Sequence, residues 1–273
     1  MIVAVDTGGT KTLIASFADD GSLLDHWKFP TPATEAEYVH VLSQELHRHF
    51  GNKTVDALVV AMPGIVIDGV AVWCNNLKWK NFNVVGALSG ILGDTPVFVD
   101  NDANLAGLAE ARSMKEVVPL CLYVTISTGI GSGIITDGNI HHALRKSEIG
   151  RTLVEFDGVV REWETFASGK AIHGTYGKYA RDITSKKVWH AIADRISRGF
   201  LATIPVLQPD VIIIGGSIGT YFSAYGADLK NFLKERLPDH IPVPKIIKAK
   251  HPEEAVIYGC YYYGVDSLAL ESA

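Results

Sequence analysis

Two glycine-rich turns, one near the start of the chain and one near its middle, constrain the fold more than any other feature. The first follows a short apolar run, Ile2 to Val5, and reads Asp6-Thr7-Gly8-Gly9-Thr10-Lys11; a second run, Leu13 to Phe17, and an acidic turn, Asp19-Asp20-Gly21, come next. That is the pattern of a β-hairpin closed by glycines. It returns as Leu122 to Ile126, Ser127-Thr128-Gly129-Ile130-Gly131-Ser132-Gly133, Ile134-Ile135 and Asp137-Gly138. Two copies of one hairpin predict two related α/β domains facing each other across a cleft; chance similarity of glycine hairpins is the rival explanation. The expected domains are residues 1–105 and 106–255, with a helix from about 256 to 273 packing back on the first. A chain of 273 residues is long for one core and comfortable for two.

Between these landmarks the apolar spacing predicts a helix over 35–50, with Tyr38, Val41, Leu42 and Leu46 on one side. A buried strand over 57–61 is closed by Met62-Pro63-Gly64. A strand over 96–99 runs into Asp100-Asn101-Asp102-Ala103-Asn104 and then a helix from about Leu105 to Arg112. Later come a helical stretch from Ser185 to Leu207, a strand over 211–214 ending in Gly215-Gly216, and a final helix from about Ala255.

Composition narrows the function classes. A net charge of -5 argues against non-specific binding of nucleic acid, which needs clustered Lys and Arg. Cys74, Cys121 and Cys260 are far apart and odd in number, so neither a disulfide framework nor a cysteine-rich metal site is expected. The chain begins directly on a strand pattern, and no apolar stretch is long enough to span a bilayer, so a cytoplasmic protein without membrane partners is expected.

Glycine turns at strand ends can approach phosphates closely, because glycine has no Cβ and its N–H is unobstructed. Thr10 and Thr128 could add hydroxyls and Lys11 a charge; the plain reading of each turn is a tight hairpin. Asp6, entering the first turn, could hold Mg²⁺ through water, or could be an ordinary turn aspartate. Asp102 sits at a strand-to-helix junction, where Asp is a favoured N-cap. Because Asn101 and Asp102 follow a buried strand, both could also emerge together to meet a substrate, Asn101 by hydrogen bonds and Asp102 as a general base. Asp100 is the weaker candidate, since strand alternation turns it elsewhere. Glu148 and Glu164 could bind vicinal hydroxyls or be solvated surface acids. Gly215-Gly216 could form a nucleotide platform beyond a strand end, or simply close the strand.

Together the segments VAVDTGGTKT, AMPG (61–64), NNLKW (75–79), VDNDANLAGLAEA (99–111), VTISTGIGSGI (124–134), EIG (148–150), ETFASGKAI (164–172) and PDVIIIGGSI (209–218) resemble the ROK family of sugar kinases and repressors. That resemblance implies two ribonuclease H-like domains of the actin, hexokinase and Hsp70 type. It also implies ATP-dependent phosphorylation of a hexose, at the 6-hydroxyl, with Mg²⁺. Asp102 would be the catalytic base. Gly64, Asn101, Glu148, Arg151 and Glu164 would line the sugar site. Gly8, Gly9, Thr10, Lys11, Thr128, Gly129, Gly131, Gly215 and Gly216 would serve the nucleotide. A homodimer is implied as well. Arg151 stands where family members often carry a His, and no cysteine cluster follows, so no zinc site is expected; an anionic sugar derivative becomes conceivable. A sugar-binding protein with weak or no kinase activity is the alternative. A repressor is less expected, because family repressors carry a helix-turn-helix before the first strand.

Overall fold

The order of strands in two five-stranded sheets sets the architecture of the computed structural model, which describes residues 1–251 and 254–271. The chain divides into two units, residues 1–109 with the segment from 254, and residues 110–253. The first unit runs β1 (Ile2–Thr7), β2 (Lys11–Phe17), β3 (Leu23–Pro30), α1 (Glu35–Phe50), β4 (Ala57–Met62), β5 (Ile65–Ile67), β6 (Val70–Cys74), β7 (Trp79–Asn83), α2 (Val84–Leu88), β8 (Val97–Asn101) and α3 (Asp102–Arg112). Its main sheet has the order β3-β2-β1-β4-β8, with a separate small sheet β5-β6-β7.

The second unit runs β9 (Leu120–Ile126), β10 (Ile130–Thr136), β11 (Asn139–Ile140), β12 (Leu153–Phe156), β13 (Val159–Glu162), α4 (Glu164–Ala167), α5 (Gly169–Tyr176), α6 (Lys186–Leu207), β14 (Val211–Gly215), α7 (Gly216–Gly219), α8 (Phe222–Arg236) and β15 (Lys245–Lys248), before the chain returns to the first unit as α9 (Ala255–Glu271). Its sheet order, β11-β10-β9-β14-β15, repeats the first. In each unit an antiparallel meander is followed by two strands added in parallel. The glycine hairpins are therefore equivalent parts of one duplicated α/β design, the ribonuclease H-like layout. The last two expected helical residues, 272 and 273, lie outside the described residues.

The central parallel strands read as apolar runs because both faces are covered; every residue of β4 and of β14 is buried. Helix α1 shows how a surface helix joins this core. Thr34 caps it by accepting from the Glu37 N–H at 3.3 Å, and Glu35 and Glu37 in the first turn suit the helix dipole. The buried stripe is Tyr38, Leu42, Leu46 and Phe50, one residue per turn. Val41, expected on that stripe, is only half-buried, and Phe50 extends the row instead.

Helix α3 starts at Asp102, three residues earlier than its apolar pattern suggests. The reason is a cap supplied by the preceding residue: Asn101 Oδ1 accepts from the N–H groups of Ala103 and Asn104 at 2.8 and 3.0 Å. Helix α9 lies against β1 and β4. It approaches α3 so closely that a Cβ on Gly259 would stand 1.9 Å from the Leu105 carbonyl oxygen. Gly259→Ala should therefore destabilise the protein by about 1–3 kcal/mol through overpacking, measured as a shift of the urea midpoint without change in slope.

Candidate functional site

In the first unit, adjacent parallel strands deliver polar residues at their carboxyl ends. The register sets Asp6 beside Ala61, Ala61 beside Asp100, and Met62 beside Asn101. Ligands of α/β sheets collect beyond such ends. Asp100 points into the interior, 1% exposed, where its carboxylate accepts from the Asn101 N–H and from Asn104 Nδ2 at 2.6 and 3.0 Å. Asn101 Nδ2 donates to the Gly64 carbonyl at 2.7 Å. Gly64 has φ +86°, and a Cβ there would lie 2.1 Å from the Trp73 carbonyl oxygen, so the position excludes side chains.

Asp102 is half-buried and accepts from the Ala103 N–H at 2.8 Å. Burial, and secondly the negative charge of Asp6, push its carboxyl up to about 7. Asp6 is itself raised to about 6 by burial, with Lys28 pulling the other way. The structure thus brings Asp6, Gly64, Asn101 and Asp102 together. It closes the first glycine turn beside Asp6: the Gly8 N–H donates to the Lys11 carbonyl at 3.0 Å, while Gly9, Thr10 and Lys11 are exposed.

The second unit assembles the remaining candidates. In the β9–β10 turn, the Ser127 N–H donates to the Gly129 carbonyl at 2.9 Å, and the Ser127 carbonyl accepts from the Gly169 N–H at 2.6 Å. Thr128 is exposed at the tip, whereas Gly131 lies inside β10 opposite Thr125. Glu164, the first residue of α4, accepts from the Ile130 N–H through Oε2 at 3.0 Å. Its Oε1 lies 3.1 Å from Arg151 Nη1, which also donates to Glu162 Oε2 at 2.5 Å. Glu162, Glu164 and Glu148 hold the guanidinium above its ordinary range, the hydrogen bond to Glu162 foremost and their charges after it.

Beside this turn opens a cavity of about 740 Å³ lined by Ser127, Thr128, Gly169, Lys170, Ser217 and Ile218, and, farther along, His173, Tyr179, Arg181 and Tyr221. Gly215 ends β14, and Gly216, with φ +74°, turns the chain so that Ser217 reaches that wall. Every charged side chain on the lining is basic. His173 and Tyr179 pack ring to ring at 4.3 Å, and the Arg181 guanidinium covers Tyr179 at 5.2 Å. Sequence reasoning missed Lys170, His173, Tyr179, Arg181 and Tyr221. The available signal was the basic and aromatic content of 170–181, just after a recognised motif.

Comparison with known proteins gives the class. A profile of the ROK family matches residues 2–264, and the chain belongs to that family. It is 27% identical to the N-acetylmannosamine kinase of Citrobacter koseri, over 85% of this chain and 88% of that protein. An inorganic polyphosphate/ATP-glucomannokinase from Arthrobacter sp. strain KM has the same fold, with TM-score 0.74, 28% identity and coverage of 99% and 98%. The ROK glucokinase of Streptomyces griseus, solved with glucose and AMPPNP, superposes with TM-score 0.80 at 20% identity, covering 97% of this chain and 99% of that one. Among the described residues no helix is long and apolar enough to cross a membrane.

The paired carboxyls make a claim that needs no ligand. Their folded values lie above the ordinary 3.8 of an aspartate. Protonation therefore favours the fold: the stabilisation is fully present below about 4 and is lost as pH rises through about 6 to 7. Asp102→Asn should make the unliganded protein more stable than wild type at pH 8, with the gain vanishing near pH 4, as read from urea unfolding at the two pH values.

Proposed function

We propose that this protein transfers the terminal phosphoryl group of ATP to the 6-hydroxyl of a neutral hexose, with Asp102 as general base. The observation that carries the reading is the placing of Asp102, just past the end of β8, beside Asn101, Gly64 and Asp6 at the carboxyl ends of adjacent parallel strands, where burial raises its carboxyl. A base working near neutral pH needs an affinity for protons in that range, and burial beside Asp6 supplies it. Asn101 and Gly64, joined by a hydrogen bond, would shape the acceptor side. In the first unit the exposed turn residues Gly9, Thr10 and Lys11, and in the second exposed Thr128 with half-buried Gly129, would take phosphate oxygens, and the basic cavity past Ser217 the nucleoside. Loop amides and basic side chains suit phosphoryl transfer, where positioning and charge stabilisation do most of the work.

A divalent cation fits Asp6, a half-buried carboxylate beside the first glycine turn, because Mg²⁺ takes few protein ligands and keeps water and phosphate as the rest. When bound, Mg²⁺ would draw charge off the phosphates. On the sugar, three carboxylates stand against one guanidinium around Arg151. Arg151 is already engaged, so the cluster favours hydroxyl groups over an anionic substituent. A homodimer belongs to the same reading.

Asp102→Asn should lower kcat by about 10²–10⁴-fold with the fold intact, and wild-type activity should fall as pH drops below about 7. A coupled ADP-release assay over neutral hexoses, N-acetylated hexosamines and anionic sugars, run with ATP and with polyphosphate, checks both the reaction and its donor. Sugar binding without turnover by any donor would instead support a non-catalytic sugar-binding protein. A second variant probes the donor side: Tyr179→Ala should raise KM for ATP by about fivefold, the loss of a stacking contact worth about 1 kcal/mol, with KM for sugar unchanged.

A further inference from the structure

Glu164 divides its two carboxylate oxygens between different tasks. Oε2 accepts from the Ile130 N–H, at the end of the turn that carries Thr128, at 3.0 Å. Oε1 faces Arg151 Nη1 at 3.1 Å. The same Nη1 reaches Glu162 Oε2 at 2.5 Å, so one guanidinium nitrogen bridges two acids at the end of the β12–β13 hairpin. Two glycines make this arrangement possible. A Cβ on Gly129 would lie 2.6 Å from Glu164 Oε2, and one on Gly150 would lie 2.3 Å from the Ile130 carbonyl oxygen. The hairpin that presents Glu162 exposes Leu153 and Val160, while its end is secured by fully buried Trp163, whose backbone N–H donates to the Thr152 carbonyl at 2.9 Å, and by the Thr165 hydroxyl, which donates to the Glu162 carbonyl at 2.6 Å.

We propose that Arg151 is a positioning residue that holds Glu164 against the Ile130 amide, so that the conformation of the Thr128 turn depends on the ion-pair cluster formed by Arg151, Glu162 and Glu164. A bare carboxylate at 164 would be pulled toward water. Paired to Arg151, it keeps one oxygen aimed at the turn, because a charge-assisted pair fixes the side chain's orientation. Hydroxyl groups bound by the same acids would then alter how firmly the turn is held. This links acceptor recognition to placement of the donor phosphates, a consequence that rests on the function proposed above; the tether itself does not.

Amide hydrogen exchange followed by mass spectrometry over 124–134, on the full chain without ligand, tests the tether apart from catalysis. Arg151→Ala should speed exchange of that segment about tenfold, the loss of one hydrogen bond to a charged group, while exchange across β14 stays at the wild-type rate. Arg151→Lys should restore most of the protection, and Glu162→Gln should give an intermediate value. Glu164→Ala should match Arg151→Ala, and the double variant should be no faster than either single one. Wild-type exchange in Arg151→Ala, acceleration spread evenly over the chain, or additive effects in the double variant would each overturn the proposal. In steady-state kinetics with a sugar that the enzyme phosphorylates, Arg151→Ala should raise KM for ATP by at least as large a factor as KM for sugar. If no sugar is phosphorylated by wild type, the exchange pattern still decides whether Arg151 holds the turn.

Discussion

Burial of two carboxyls, Asp6 and Asp102, in one corner is the constraint around which the first unit is arranged. Burial raises the proton affinity of both carboxyls, the charge of Asp6 adds to the rise at Asp102, and separated in water they would be more stable. The sheet prevents that separation. β1, β4 and β8 are locked in parallel register, so Asp6 and Asn101 emerge from strands whose neighbours are wholly buried. Asn101 then starts α3 at Asp102 and leaves that carboxyl no freedom to retreat. Sites commonly store such cost, and the surrounding core has to supply the stability that offsets it.

The second unit uses the same strand order for a different purpose. Where the first places Asp6 and Asp102 at or just past its strand ends, the second places Ser127 and Gly216-Ser217 there, with a wall of basic and aromatic side chains alongside. Duplicated backbone topology therefore does not imply duplicated chemistry. What the two units share is a meander whose first turn is kept small by glycine, and that smallness serves opposite neighbours. Gly8 folds onto its own strand, with its N–H on the Lys11 carbonyl, while Gly129 makes room for a carboxylate from elsewhere in the chain.

Much of this was legible in the residues. The glycine hairpins revealed the duplication because turn chemistry is local, and the buried strands stood out because parallel strands read as continuous apolar runs. The start of α3 was misplaced because the apolar pattern begins only at Leu105, whereas the hydrogen bonds of the Asn101 amide start the helix at Asp102. The relation of Arg151 to Glu162 and Glu164 was not legible, since the hairpin of β12 and β13 that joins them has no sharp pattern and half-exposed faces. Tyr179 and His173 were passed over for a related reason: ring packing across a helix end leaves no periodic trace.

The side chain of Asn101 has an unambiguous orientation with a directional result. Its oxygen is taken up by two backbone N–H groups, and one amide hydrogen is given to the Gly64 carbonyl. The remaining amide hydrogen bonds the Asp102 carboxylate, where it opposes the rise in proton affinity that burial causes. An aspartate of the same outline could begin the helix, but it would turn that polarity around and set a negative oxygen against the Gly64 carbonyl. The amide at this position therefore sets both the first turn of the helix and the surroundings of the carboxylate next to it.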